Sequence, residues 1–184
     1  MSDFILTGLE YLAGRILPIL LGTAAFWLVR RLLIRRGVLA EGGKPHEIGA
    51  LAFALYVSAV LSLTYLPLLP MSEGRFTFDS TIWGILTGAY TAGSWVYTMM
   101  AANVVMFLPL GFLTNLLWRQ RPWQTLALCL AATLCVELLQ PLAGRSFDID
   151  DILLNFLGGA LGLLAAMGFG RLRPRAAEAP KSKA

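Results

Sequence analysis

The sequence predicts an all-α fold: a polytopic bundle of about five transmembrane helices. Three observations predict it. Of 184 residues, 57% are apolar and only 14% charged, whereas a soluble domain of this length carries nearer a quarter charged residues. The mean hydropathy is +0.68. The apolar residues gather into five runs, each close to the roughly 20 residues that cross hydrocarbon as a helix. A disordered chain, a disulfide scaffold and an ordinary soluble enzyme are excluded on the same grounds.

The first run extends from about Ile16 to Ile34 and ends among Arg30, Arg31, Arg35 and Arg36. The segment before it, Met1 to Gly14, is acidic and lacks a basic n-region, so no cleaved signal peptide is expected. The second run covers about Ile48 to Leu69 and stops at Pro67 and Pro70. The third is about Thr98 to Trp118, closed by Arg119, Gln120 and Arg121. The fourth follows Pro122, from about Trp123 to Leu142. The fifth starts at Ile149 or Asp151, reaches Phe169 and meets Arg171, Arg173 and Arg175. Residues 1–170 are read as one membrane-embedded domain, and 171–184 as a basic, disordered cytoplasmic tail.

Placing the turn between spans one and two in the cytoplasm puts twelve of the fifteen basic residues on that side and leaves Arg15, Arg75 and Arg145 opposite. Lys and Arg are retained on the cytoplasmic side during insertion, so the N-terminus is expected outside and the C-terminus inside a bacterial cytoplasmic membrane. The net charge of +4 is then a topology signal, and no nucleic-acid partner is expected. The connection Met71 to Tyr97 lies outside. It carries Phe76, Phe78, Trp83, Tyr90, Trp95 and Tyr97, which suits the headgroup layer, and Thr81 to Leu86 is expected as a short interfacial helix despite Gly84.

Cys129 and Cys135 are six residues apart, about 120° around a helix, so they are read as buried small apolar side chains without a disulfide. With His46 the sole histidine, a thiolate or imidazole metal site is excluded, no metal or cofactor is implied, and His46 is expected solvated. Asn115 is expected to make an interhelical hydrogen bond.

The informative residues are polar ones inside the spans. Glu137 and Gln140 share a face of span four. Asn103 lies at a similar depth in span three. Asp148, Asp151 and Asn155 form one stripe on span five, within about 60° of each other, while Asp150 points away. Arg145 stands in the short outer turn between spans four and five. A carboxylate at that depth costs a few kcal/mol, on the order of 2.5–3.5 on insertion scales, unless paired or hydrated. The residues allow two readings. In one they are structural: Arg145 neutralises Glu137 or an Asp, the amides satisfy backbone near Pro109 and Pro141, and Asp148 or Asp150 caps the fifth helix. In the other they line an outward-facing polar pocket for a headgroup, sugar or peptide. Gly158 and Gly162, spaced for close helix approach, turn the stripe toward the bundle.

These residues resemble the VanZ-like family: Asn103-x-x-x-Phe107-x-Pro109-x-Gly111, then Glu137-x-x-Gln140, then Arg145, then Asp148-x-x-Asp151-x-x-x-Asn155-x-x-Gly158. The order and spacing agree over spans three to five (98–170), while the first two spans match only in being apolar. The resemblance implies that these residues matter and does not say what they do; Phe107, Pro109, Gly111, Gly158 and Gly162 are expected in helix packing. It takes its name from a bacterial membrane protein associated with low-level resistance to teicoplanin, a lipidated glycopeptide that binds peptidoglycan precursors.

Three functions follow as expectations. A non-enzymatic accessory protein would engage a lipid-linked envelope precursor, an amphiphile or a glycopeptide. An intramembrane enzyme would use Glu137 as base with Arg145 on a phosphate or carboxylate, or Asp148 and Asp151 on a divalent ion through water. No Ser, Cys or His has an identifiable catalytic partner, which weighs against it. A small transporter would use the intramembrane acid, but the far halves of spans four and five are nearly devoid of polar residues, and no internal repeat suggests inverted halves.

Overall fold

The computed structural model describes residues 2–65, 76–77 and 80–172, with side chains described for 13–65 and 80–170. The tail from residue 173 and the side chains of Phe76 and Phe78 lie outside the described residues.

Five helices are long and apolar enough to cross a membrane. They belong to α1 (Ser2–Arg35), α2 (Lys44–Tyr65), α4 (Ser94–Trp118), α5 (Pro122–Leu139) with the 3₁₀ turn Gln140–Ala143, and α6 (Ile149–Leu172); a short α3 spans Thr81–Leu86. The helices start earlier than the apolar runs because polar residues such as Lys44 and Ser94 begin the helix before the hydrocarbon-compatible stretch does. Pro122 opens α5 at its first position, where the missing N–H is harmless. Arg119 closes α4 in the left-handed conformation, φ 47°, its N–H donating to the Asn115 carbonyl. The Asn115 amide donates to the Gln120 carbonyl at 3.1 Å. It therefore secures the α4–α5 turn and is not the expected link between helices.

The most extensive packing is between α4 and α6, which run parallel because α5 returns the chain between them. Their seam is made of backbone. A methyl group on Gly158 would lie 2.1 Å from the Val104 carbonyl oxygen, one on Gly162 2.0 Å from that of Leu108, and one on Gly111 1.9 Å from that of Gly159. Only hydrogen fits at these crossings, as the Gly158-x-x-x-Gly162 spacing predicts. Phe107 (1% exposed), Leu110, Cys129 and Val136 form the core beside the seam, and Pro109 sits within α4 between Phe107 and Gly111. Cys129 packs on Gly159. Cys135 is exposed, contrary to expectation. On a lipid-embedded helix an apolar side chain is equally at home on the outer face, so apolarity alone does not place it inside. The face of α5 that leads away from Glu137 is less apolar than expected, since Thr125 and Thr133 are fully buried.

α1 packs chiefly on α2. At one end of the bundle, Arg30 pairs with Glu47 and Arg31 with Glu41, the two ion pairs among the described residues. His46 is half-buried there in the first turn of α2, its Nδ1 withdrawn from solvent. The expectation of a solvated imidazole is corrected: the helix begins before His46 and turns it toward α1.

The opposite end carries α3 and a two-residue parallel bridge between β1 (Phe76–Thr77) and β2 (Phe147–Asp148). Helix α3 coincides with the expected interfacial helix. Trp83, Leu86, Tyr90, Trp95 and Tyr97 are all exposed around it. Its anchor is Asp150 (4% exposed), which accepts from the Ser80 hydroxyl and, at 2.9 Å, from the Ile82 N–H. Ser80 in turn caps α3 by accepting from the Trp83 N–H at 3.1 Å. Asp150 thus points away from the α6 stripe, as expected, to hold a second helix. Asp150→Ala is expected to free the Thr81–Leu86 amides to exchange faster, at a cost of about 1–2 kcal/mol, while membrane abundance stays at the native level. Unchanged hydrogen exchange in α3 would show that the anchor lies elsewhere.

Candidate functional site: a buried carboxylate and its amides

The polar residues singled out in the sequence gather at the end of the bundle that carries α3. Glu137 comes from the last turn of α5, and the 3₁₀ turn beginning at Gln140 brings that amide back beside it. Gln140 Nε2 donates to Glu137 Oε1 at 3.0 Å. Asn155, one and a half turns into α6, donates Nδ2 to the same oxygen at 3.4 Å. The Asp148 N–H lies 3.5 Å from Oε2. Glu137, Gln140 and Asn155 are 1%, 5% and 1% exposed, so they form a floor that solvent does not reach. Asn155 Oδ1, also buried, has no hydrogen-bond partner. No Lys or Arg lies in ion-pair contact with Glu137 among the described residues.

Above the floor lies a half-buried rim. Asn103 donates from α4 to Asp151 on α6, a bridge across the parallel pair just above its glycine seam. The Asp148 carboxylate accepts from the Asp150 N–H at 2.9 Å, the bond that an N-cap makes to the second helical residue. Burial pushes the Asp148 carboxyl above its ordinary range, with the Asp150 charge adding to this and the Asp150 N–H pulling the other way. Arg145 is exposed, donates to the Thr64 carbonyl at 3.4 Å, and pairs with none of the acids. It nevertheless lies near enough for its charge to act on Glu137 and Asp151.

The structural reading is therefore met in one part only. Asp148 caps α6. Arg145 does not neutralise Glu137, and the three amides donate to carboxylates, not to backbone near Pro109 or Pro141. Tyr65 was not singled out in the sequence. Its hydroxyl donates to the Val136 carbonyl at 2.8 Å, tying α2 to α5 beside Glu137. Arg15 was also passed over as a site residue. It is 2% exposed and donates to the Ser62 carbonyl, so two guanidiniums cover the last carbonyls of α2. An arginine at the edge of an apolar run was the available signal. Among the described residues no three His, Cys, Asp or Glu side chains are grouped so as to hold a metal.

Five helices long and apolar enough to cross a membrane, of which α4, α5 and α6 build a buried carboxylate–amide cluster near one end, define a multi-pass membrane protein. The family follows from the same segment: the VanZ/LLP1 family model matches residues 53–170, and the chain belongs to that family. The match begins within α2 and contains every residue of the floor and rim, leaving α1 outside. No curated protein and no solved structure matches the chain.

Proposed function

We propose that this VanZ/LLP1 protein is a non-enzymatic accessory protein of the cell envelope. Its polar end faces outward in a bacterial cytoplasmic membrane and engages the headgroup of a lipid-linked precursor or similar amphiphile, which alters susceptibility to lipidated glycopeptides such as teicoplanin. The observation that carries the reading is the buried Glu137 carboxylate, held by two side-chain amides with no cation in contact, beside an Asn155 oxygen that lacks a donor. Such a floor suits hydroxyl, amide or ammonium donors. Arg145, which among the described residues donates to the Thr64 carbonyl at 3.4 Å and pairs with no carboxylate, suits a phosphate or carboxylate on the same ligand. A sugar or peptide on a lipid phosphate presents both kinds of group. The outward orientation is supported by the distribution of basic residues, which crowd the other end.

The test compares teicoplanin and vancomycin susceptibility in a bacterial host expressing the native chain, Glu137→Gln or Asp151→Asn at matched membrane abundance. Selective protection against teicoplanin by the native chain, lost in both variants, is expected. Equal protection by all three chains sinks the proposal. For orientation, Arg145→Cys in a chain whose own cysteines are replaced should react with an impermeant maleimide on intact cells, and Glu41→Cys should not.

A further inference from the structure

The basic end of the bundle contains a cavity of about 240 Å³, away from the polar cluster. It opens where the α1–α2 turn crosses the end of α4. Phe26, Phe53 and Trp118 line its interior, with Ala50 behind them and Leu39 near the turn. Phe53 holds the wall rigid, meeting Trp118 edge-on at 5.0 Å and Phe26 at 6.4 Å. Arg30 is the one strongly polar group in this wall besides His46. Its Nη2 is committed to Glu47, but its Nε–H is buried with no acceptor, although the residue is only 9% exposed. A buried donor of this kind calls for an oxygen that the protein itself does not supply.

The charge around the cavity is predominantly positive. Among the described residues, Arg30, Arg31, Arg35, Arg36, Lys44, Arg119 and Arg121 stand at this end against Glu41 and Glu47. Both acids are already spent on Arg30 and Arg31, and Arg35, Arg36 and Lys44 are exposed. An apolar, aromatic-walled cavity beneath a cationic rim is complementary to an anionic amphiphile and to neither a zwitterionic lipid nor a free anion.

We propose that this cavity is a binding site for an anionic phospholipid of the phosphatidylglycerol class. One acyl chain enters between Phe26, Phe53 and Trp118, a glycerol-ester oxygen accepts from Arg30 Nε–H, and the phosphate lies on Arg35, Arg36 and Lys44. The site sits at the opposite end from Glu137 and does not depend on the function proposed for that cluster.

Full-length protein purified in detergent and titrated with dioleoylphosphatidylglycerol or dioleoylphosphatidylcholine, with bound lipid counted by native mass spectrometry, tests this. The anionic lipid is expected to bind at least about tenfold more tightly, since each basic residue at a membrane surface contributes about a factor of five. Replacing both Arg35→Gln and Arg36→Gln should remove most of that preference and leave phosphatidylcholine binding alone. Leu39→Trp and Val29→Trp project bulk into the cavity from residues that are 40% and 55% exposed, so the fold tolerates them. Each should weaken phosphatidylglycerol binding about tenfold at an unchanged melting temperature. Equal affinity for the two lipids overturns the proposal, as does phosphatidylglycerol binding unaffected by either tryptophan. If either tryptophan variant melts early, the double arginine substitution decides.

Discussion

Gly158→Val is expected to remove the protein from the membrane. The new Cβ would fall 2.1 Å from the Val104 carbonyl oxygen and 2.9 Å from its carbon, and both atoms belong to a helix backbone that has no rotamer to change. Relief requires α4 and α6 to separate by more than an ångström along the most extensive packing surface in the protein. Overpacking a core costs about 1–3 kcal/mol when side chains can adjust, and here they cannot, so the effect should reach at least the top of that range. Gly162→Val should behave alike, since its Cβ meets the Leu108 oxygen at 2.0 Å. Gly168→Ala, six residues after Gly162 and with nothing within 4 Å of the new methyl, should be neutral. Membrane abundance and melting temperature in detergent check all three. A native melting curve for Gly158→Val would mean that α4 and α6 do not touch through their backbones.

The second large effect concerns Glu137. Removing the carboxylate with Glu137→Ala leaves the Gln140 amide, the Asn155 amide and the Asp148 N–H without their shared acceptor. Each buried unsatisfied donor costs about 1–3 kcal/mol, so a loss on the order of 3–5 kcal/mol is expected, enough to lower the melting temperature by roughly 6–20 °C for a protein of this size. Glu137→Gln keeps one oxygen in the same place and removes the burden of a carboxylate at membrane depth. It should therefore melt within a few degrees of the native protein while losing whatever the charge does. The order native, Gln, Ala in stability, with function lost in both variants, separates the two roles of the residue. A Glu137→Ala protein as stable as the native one would show that water already fills the floor.

The bundle was legible in the sequence because hydrocarbon thickness dictates the length of each apolar run, and the convergence of Glu137, Asn103 and Asn155 followed from depth counting along helices of known rise. Which faces turn inward was not legible. Lipid accepts apolar side chains as readily as a core does, so periodicity is erased, and Cys129 and Cys135 could not be told apart although one is fully buried and the other exposed. Small residues survived as a signal, since only backbone contact demands them, and they marked the α6 face correctly. Contacts between distant segments were hidden as well. Nothing local to Asp150 announces that Ser80, seventy positions away, will share its proton. That the Arg145 guanidinium reaches the Thr64 carbonyl and makes no ion pair with Glu137 or Asp151 is set by how α2 packs beside the turn, which charge counting cannot supply.

The parallel arrangement of α4 and α6 also has a consequence for biogenesis. The partner that α4 needs leaves the ribosome only after α5, and α6 brings Asp151 and Asn155 with it. Until then Asn103 lacks its acceptor, and Glu137 has the Gln140 amide but neither the Asn155 amide nor the Asp148 N–H. Assembly of the cluster is thus completed only when α6 docks on α4. Nascent chains halted before Ile149 would carry Glu137 with the Gln140 amide alone and Asn103 with no Asp151 to accept from it, a half-built cluster by which membrane quality control would tell them from the finished protein.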